Sequence, residues 1–230
     1  MKVLSVNVSA VREIDDDGRT VRTGIFKTPV HGLVRVGAIN LDGDDQADRK
    51  NHGGEHKAVY AFGRQHAAHW REALGRDDIE PGFFGENLSI DTLDERALHV
   101  GDRFRAGSAL LEITQPRVPC FKLGIRAGDR SLTRAFMLRG LTGAYLRVLE
   151  EGVVRAGDGF EPAERDPGER GPAAGGSALH DLATLFAAVH DREGDPDRQR
   201  EVLRAALEVP ALSDEWRALI ERRLERLASR

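Results

Sequence analysis

The sequence predicts a mainly β fold: a β-barrel with short helices, followed by a small C-terminal three-helix domain. Three observations carry this expectation. Up to about residue 162, short apolar or alternating runs recur between glycine-rich turns, and only two short stretches show helical spacing. Residues 163–176 are then almost entirely Pro, Ala, Gly, Glu, Arg and Asp, with little to bury, and read as a linker. From residue 177 to 230 the apolar period becomes helical three times over. Domain bounds of 1–162 and 177–230 follow.

Each element has a local reason. Residues 2–8 alternate and predict a first strand. Asp17-Gly18 predicts a hairpin turn. Thr23–Lys27 and Leu33–Ile39 continue the β pattern, and residues 41–57 are too rich in aspartate and glycine for a core element. Lys57–Phe62 resumes a strand. Gln65–Leu74 predicts a helix stopped by Gly75, with Trp70 and Leu74 on one face. Residues 81–90 are a loop entering a strand, and Val100–Phe104 and Leu110–Thr114 form a hairpin around Gly107. Ser131 is read as the cap of a helix running to Arg139. Tyr145–Leu149 and Gly152–Val154 close the β region. In the tail, Ser177, Asp195-Pro196 and Ser213 open the three helices. Their inward stripes are Leu179, Leu182, Phe186 and Val189; then Val202, Leu203, Ala206 and Leu207; then Trp216, Leu219, Ile220, Leu224 and Leu227.

Composition narrows function. The chain has 230 residues, 40% of them apolar and 31% charged, and a net charge of −4, which gives no reason to expect nucleic-acid binding. One cysteine cannot form an internal disulfide, so cytoplasm is the expected compartment. The N-terminus lacks signal-peptide character, and no apolar run suits a membrane span. Nucleotide-binding GxGxxG and GxxxxGK[ST] patterns and a GxSxG serine elbow are absent.

Several residues could carry chemistry. Cys120 follows Gln115-Pro116-Arg117-Val118-Pro119, where two prolines prevent a regular ladder. Arg117 and Lys122 are close in sequence, and nearby positive charge favours thiolate, the form that ligates metals. A small buried hydrophobe is the alternative reading. A thiol nucleophile is disfavoured because Cys120 is expected on a β segment, not at a helix N-terminus. His52 and His56 have the spacing of zinc ligands, as do His66 and His69, but Gly53-Gly54 disfavours a helix between the first two. With Arg49, Lys50 and Lys57 around it, Gly53-Gly54 is either a phosphate cradle or a tight turn.

The order of the motifs is more informative than any one of them. Gly43-Asp44, Asp48, His52-Gly53-Gly54, Lys57-Ala58-Val59-Tyr60, Phe84-Gly85-Glu86-Asn87-Leu88, Gly101-Asp102-Arg103, Gln115-Pro116-Arg117-Val118-Pro119-Cys120 and Thr142-Gly143-Ala144-Tyr145 follow one another. This set resembles the MOSC family, the molybdenum-cofactor sulfurase C-terminal-like domain, and within it the stand-alone bacterial YiiM type, which pairs a β-barrel with three helices. The resemblance implies a molybdopterin-type molybdenum cofactor with Cys120 as its protein ligand. It implies reduction of N-hydroxylated bases, such as 6-hydroxylaminopurine, to amines, a detoxifying reaction. A non-catalytic carrier of the cofactor, or of sulfur as a persulfide on Cys120, is the alternative. By chemical type, Arg117, Lys57 and the Gly53-Gly54 amides suit the cofactor's phosphate. Asn87 and His52 suit hydrogen bonds to the pterin or metal-oxo group, and Glu86 or His52 suits proton supply. The implied partners are a small N-hydroxylated substrate and a separate electron-donating reductase, because one cysteine cannot hold an iron–sulfur cluster. No nucleic acid or membrane partner is expected, and a homodimer is left open.

Overall fold

The computed structural model describes residues 1–48, 53–164 and 181–229. The first strand, β1 (Val3–Val8), buries Val3 and Val6. Strands β2 (Arg12–Asp16) and β3 (Arg19–Thr23) form a hairpin whose turn residues Asp17 and Gly18 both have positive φ, 56° and 79°. That is the twist-matched two-residue turn that Asp-Gly favours. Residues 24–27, expected to be a strand, are not one: the Lys27 N–H donates to Ile25 O at 2.8 Å in a tight turn, and β4 (Thr28–Val30) follows.

The remaining elements of this region are β5 (Val34–Val36), β6 (Val59–Gly63), α1 (Ala67–Leu74), β7 (Leu88–Ile90), β8 (Arg103–Ala106), β9 (Ala109–Pro116), α2 (Phe121–Ala127), α3 (Ser131–Arg139), β10 (Ala144–Glu150), β11 (Gly152–Val154) and β12 (Phe160–Ala163). Two of these differ from expectation in kind. Helix α2 was not expected, and it makes Cys120 a helix N-cap instead of a strand-end residue. Strand β12 takes Ala163 out of the expected linker region. Ser131 is the first residue of α3 and not its cap; its N–H donates to Asp129 Oδ1 at 2.8 Å.

Eight strands make one sheet in the order β12-β8-β9-β10-β6-β7-β1-β4, antiparallel except for β6–β7, which α1 connects. Each edge strand carries a proline, Pro29 on β4 and Pro162 on β12, where a missing N–H is tolerated. The fold is sheet-dominated, but the ladder does not close into the expected barrel. An isolated bridge, Lys2 to Gly159, and hydrogen bonds from Val3 N to Asp158 O (2.9 Å), Gly157 N to Val3 O (2.8 Å) and Phe160 N to Met1 O (2.9 Å) bring its ends together. Strand β4 occupies the same β1 from Val6 to Val8, so only its beginning is left for this contact.

Three helices follow: α4 (Leu182–His190), α5 (Pro196–Leu207) and α6 (Asp214–Ala228). Asp195 and Ser213 cap α5 and α6 through their side chains, with Pro196 at the first helical position. Asp181 caps α4, accepting from Thr184 N at 2.8 Å; the expected cap Ser177 and the stripe residue Leu179 lie outside the described residues. The helices lie on the sheet. Leu185, Leu203, Trp216 and Ile220 share one apolar core with Val3, Leu111 and Leu146. A second, aromatic cluster holds Phe62, Trp70, Phe84 and Phe136, with Trp70 and Phe84 stacked on Phe136 at 5.1 and 5.2 Å.

Two predictions follow from this packing. At Gly107, in the β8–β9 turn, φ is +58° and an added Cβ would stand 2.2 Å from Val153 O. Gly107→Ala should therefore lower stability by about 1–3 kcal/mol in urea unfolding; an unchanged midpoint would contradict the clash. Burial, with Arg223 adding to it, pulls the His190 pKa down to about 4. Its folded value lies below its ordinary value of about 6.5, so the unfolded chain binds the proton first. Stability is then full above about pH 6.5 and falls as pH drops towards 4. His190→Phe should flatten thermal stability across that window; equal slopes in both proteins would refute the assignment.

Candidate functional site

The end of β9, the start of α2 and the chain between β3 and β4 surround a cleft of about 530 Å³, part of it open to solvent. Its lining includes Cys120, Arg117, Lys122, Lys27, Tyr60 and Tyr145. Regular strand alternation would send Arg117 and Cys120 to opposite faces. The strand stops at Pro116, however, and the chain turns into α2, so both residues line the same space.

Arg117 is only 4% exposed. Its N–H donates to Gly143 O at 3.1 Å, and its carbonyl accepts from Thr142 Oγ1 at 2.7 Å. Its guanidinium lies 4.7 Å from the Tyr60 ring centroid and 5.5 Å from that of Phe136, and donates to Tyr60 Oη at 3.4 Å. Burial works to lower the Arg117 pKa, but the Tyr60, Tyr145 and Cys120 groups outweigh it and hold the value above the usual range. Burial pushes both tyrosines upward, so the phenols are neutral at ordinary pH. Among the described residues, no carboxylate pairs with Arg117. The cleft thus contains a desolvated cation held by rings and backbone, with no carboxylate beside it among the described residues, an arrangement that suits a bound anion.

Cys120 is half-buried, and its carbonyl accepts from Leu123 N at 3.0 Å and from Thr133 Oγ1 at 3.3 Å. No group of three or more His, Cys, Asp or Glu side chains is placed to hold a metal among the described residues. A metal here would have one protein thiolate and would need its other donors from elsewhere.

The other nominated residues do not line the cleft. Glu86 is fully buried; its carboxylate accepts from Gly82 N (2.7 Å), Phe84 N (3.1 Å) and Ser89 Oγ (2.8 Å), and burial raises its pKa. Asn87 accepts from Tyr60 N at 3.1 Å and donates to Asp44 Oδ2 at 2.9 Å, so it supports the wall. Lys57 is buried against Glu215, with its ammonium 5.7 Å from the Tyr145 ring. Gly54, at φ +87°, precedes a short turn and accepts from Lys57 N at 3.1 Å. Gly53 is likewise away from the cleft lining, and His52 lies outside the described residues. Sequence reasoning passed over Lys27, whose ammonium pairs with Asp44 inside the fold. It also missed Tyr60 and Tyr145 as lining groups.

Comparison with known proteins fits this geometry. A family model for the MOSC domain matches residues 48–161, and one for a YiiM-like 3-alpha helix domain matches residues 195–227. The uncharacterized protein YflK of Bacillus subtilis (strain 168) is 36% identical over 228 residues, covering 98% of this chain and 95% of its own. The chain belongs to the MOSC family, with a YiiM-like helical tail. The crystal structure of YiiM from Geobacillus stearothermophilus is similar to it at 32% identity and a TM-score of 0.73, covering 97% of this chain and 98% of that one. A Gibberella moniliformis (strain M3125 / FGSC 7600) protein named "Reductase" is 34% identical over 152 residues, 64% of this MOSC chain but only 27% of the fungal one. No helix among the described residues is long and apolar enough to cross a membrane.

The anion reading is testable on the chain alone. Inorganic phosphate should raise the melting temperature of the wild type more than that of Arg117→Met. Saturation to about a hundred times Kd corresponds to about 2.7 kcal/mol. Equal phosphate shifts in the two proteins would show that Arg117 does not hold the anion.

Proposed function

We propose that this chain binds a molybdopterin-type cofactor in the cleft and reduces N-hydroxylated bases, 6-hydroxylaminopurine among them, to amines. The carrying observation is the meeting of the chain's one cysteine with a buried arginine that has no carboxylate partner among the described residues. A soft thiolate beside an anion site suits a metal held by a phosphorylated, sulfur-donating cofactor. The reductase name of the fungal relative is consistent with redox chemistry.

In this reading Cys120 holds the metal, and Arg117 and Lys122 hold the cofactor's phosphate. When bound, the cofactor supplies the two-electron chemistry that the side chains lack. Arg117 favours the thiolate form of Cys120 by its charge. Tyr60 fixes Arg117 through its ring and hydroxyl, and its own hydroxyl donates to Thr142 O at 2.8 Å. Electrons come from a separate reductase.

Cys120→Ser separates the readings. Serine is close to cysteine in size, so the melting temperature should stay within about 2 °C. As a harder and less acidic ligand, it should lose metal and drop turnover of 6-hydroxylaminopurine by roughly 100-fold or more. Full turnover in the serine variant, at metal content matched to wild type, would sink the ligand role. Bound cofactor without turnover in the wild type would favour the carrier alternative.

A further inference from the structure

We propose that Lys27 is the proton donor of the cleft, delivering a proton to the hydroxyl oxygen that leaves as the N–O bond breaks. This rests on the reductive reading above. The balance is R–NH–OH plus two electrons and two protons, giving R–NH2 and water. The electrons come from an external reductant. Lys27 protonates the leaving oxygen, and solvent protonates the nitrogen.

Lys27 lines the same cleft as Cys120 and Arg117. Its ammonium pairs with Asp44, whose Oδ1 also accepts from Ser9 N at 2.9 Å and whose Oδ2 accepts from Asn87 Nδ2 at 2.9 Å. The carboxylate is therefore locked in place. The backbone of residues 25–27 is pinned as well. A Cβ at Gly82 would lie 2.7 Å from Lys27 O, and one at Gly85 would lie 3.0 Å from Ile25 Cγ1. Buried ion pairs add little stability over apolar packing, so a pinned one whose lysine also lines a cleft points to chemistry. The pair is neutral overall, unlike Arg117, and so is a poor anion anchor. It is a good donor, because losing the proton relieves the desolvation of the ammonium.

The charges around Lys27 fix the expected pH behaviour. Burial lowers its pKa, and this outweighs the raising effects of Asp44, Glu86 and Asp45. Arg117, Lys122, Cys120, Asp45 and Asp48 share the cleft, while Tyr60 and Tyr145 are neutral there. The donating form is the ammonium, so the rate should fall as pH rises through a value below the ordinary ~10.4 of lysine.

The first test needs no cofactor. In the apo chain with 13C-labelled lysine, the Lys27 Cε signal, assigned by its loss in Lys27→Arg, should titrate at lower pH than the other lysines. Coincident titration would overturn the proposal. The second test uses cofactor-loaded protein, 6-hydroxylaminopurine and dithionite-reduced methyl viologen. Arginine keeps the charge beside Asp44 but cannot release a proton. Lys27→Arg at matched metal content should cut kcat by about 10²–10⁴-fold and abolish the basic limb. Wild-type kcat with an unchanged limb would overturn the donor role. If that variant fails to fold, Lys27→Met with Asp44→Asn removes the pair without leaving an orphan charge and carries the same expectation. A loaded wild type that does not turn over would sink the reductive reading itself, an outcome distinct from equal rates in wild type and variant.

Discussion

The guanidinium of Arg117, buried at the end of β9 with no carboxylate beside it among the described residues, is the constraint on which the rest of the site depends. A desolvated cation costs several kcal/mol unless something compensates it. Here backbone and rings hold it in position. Thr142 and Gly143 take both backbone polar groups of Arg117, and Tyr60 and Phe136 present their faces to its charge. Glu95 fixes Gly143 in turn, accepting its N–H at 3.0 Å while its other oxygen meets His66 Nε2 at 3.1 Å. Gly143 has φ +78°, and a Cβ there would stand 2.4 Å from Ala61 O, so this support admits only glycine. The charge itself is left for a ligand.

The contrast with other buried charges sharpens the point. Glu112, on β9, is shared between Arg103 and Arg147, at 3.0 Å and 2.8 Å to their Nε atoms. Lys27 meets Asp44, and Lys57 meets Glu215. Behind the cleft, Ser5, Asn7, Ser89 and Glu86 form a hydrogen-bonded chain that satisfies polar atoms inside the sheet. These buried charges meet an opposite charge or a set of hydrogen-bond donors, whereas the described residues offer Arg117 no carboxylate.

How much of this was legible in the sequence follows from how local each signal is. Asp17-Gly18, Gly75, Asp195-Pro196 and Ser213 announce their turns and caps through their own backbone chemistry, and the structure places each there. Helix α2 was hidden because it is short and carries Gly124 in its interior. That glycine answers to a distant neighbour: a Cβ would stand 2.9 Å from Arg130 Cα. Lys27 was hidden for a related reason, since its partner Asp44 lies 17 residues away. Glu86 and Asn87 look like pocket groups because they are polar within a glycine-rich loop, but that loop turns them towards backbone donors in the wall. The ladder stays open because β4 competes for the edge of β1, a tertiary choice that no local pattern encodes.

The C-terminal helices bear on the cleft from behind. The Ser213 N–H, at the start of α6, donates to Thr114 O on β9 at 3.3 Å. The Thr114 hydroxyl lies 2.6 Å from His56 O and 3.1 Å from Tyr145 O, tying the residue 53–57 turn to β10. Glu215, two residues into α6, pairs with Lys57, and Lys57 faces the ring of the cleft residue Tyr145. Removing one partner of a buried ion pair is costly, because it strands the other partner's charge. Moving α6 away would therefore break the Lys57–Glu215 pair and weaken the support behind Tyr145. The helical tail bears on the cleft through the Lys57–Glu215 pair and through Thr114, while none of its described residues lines the cleft.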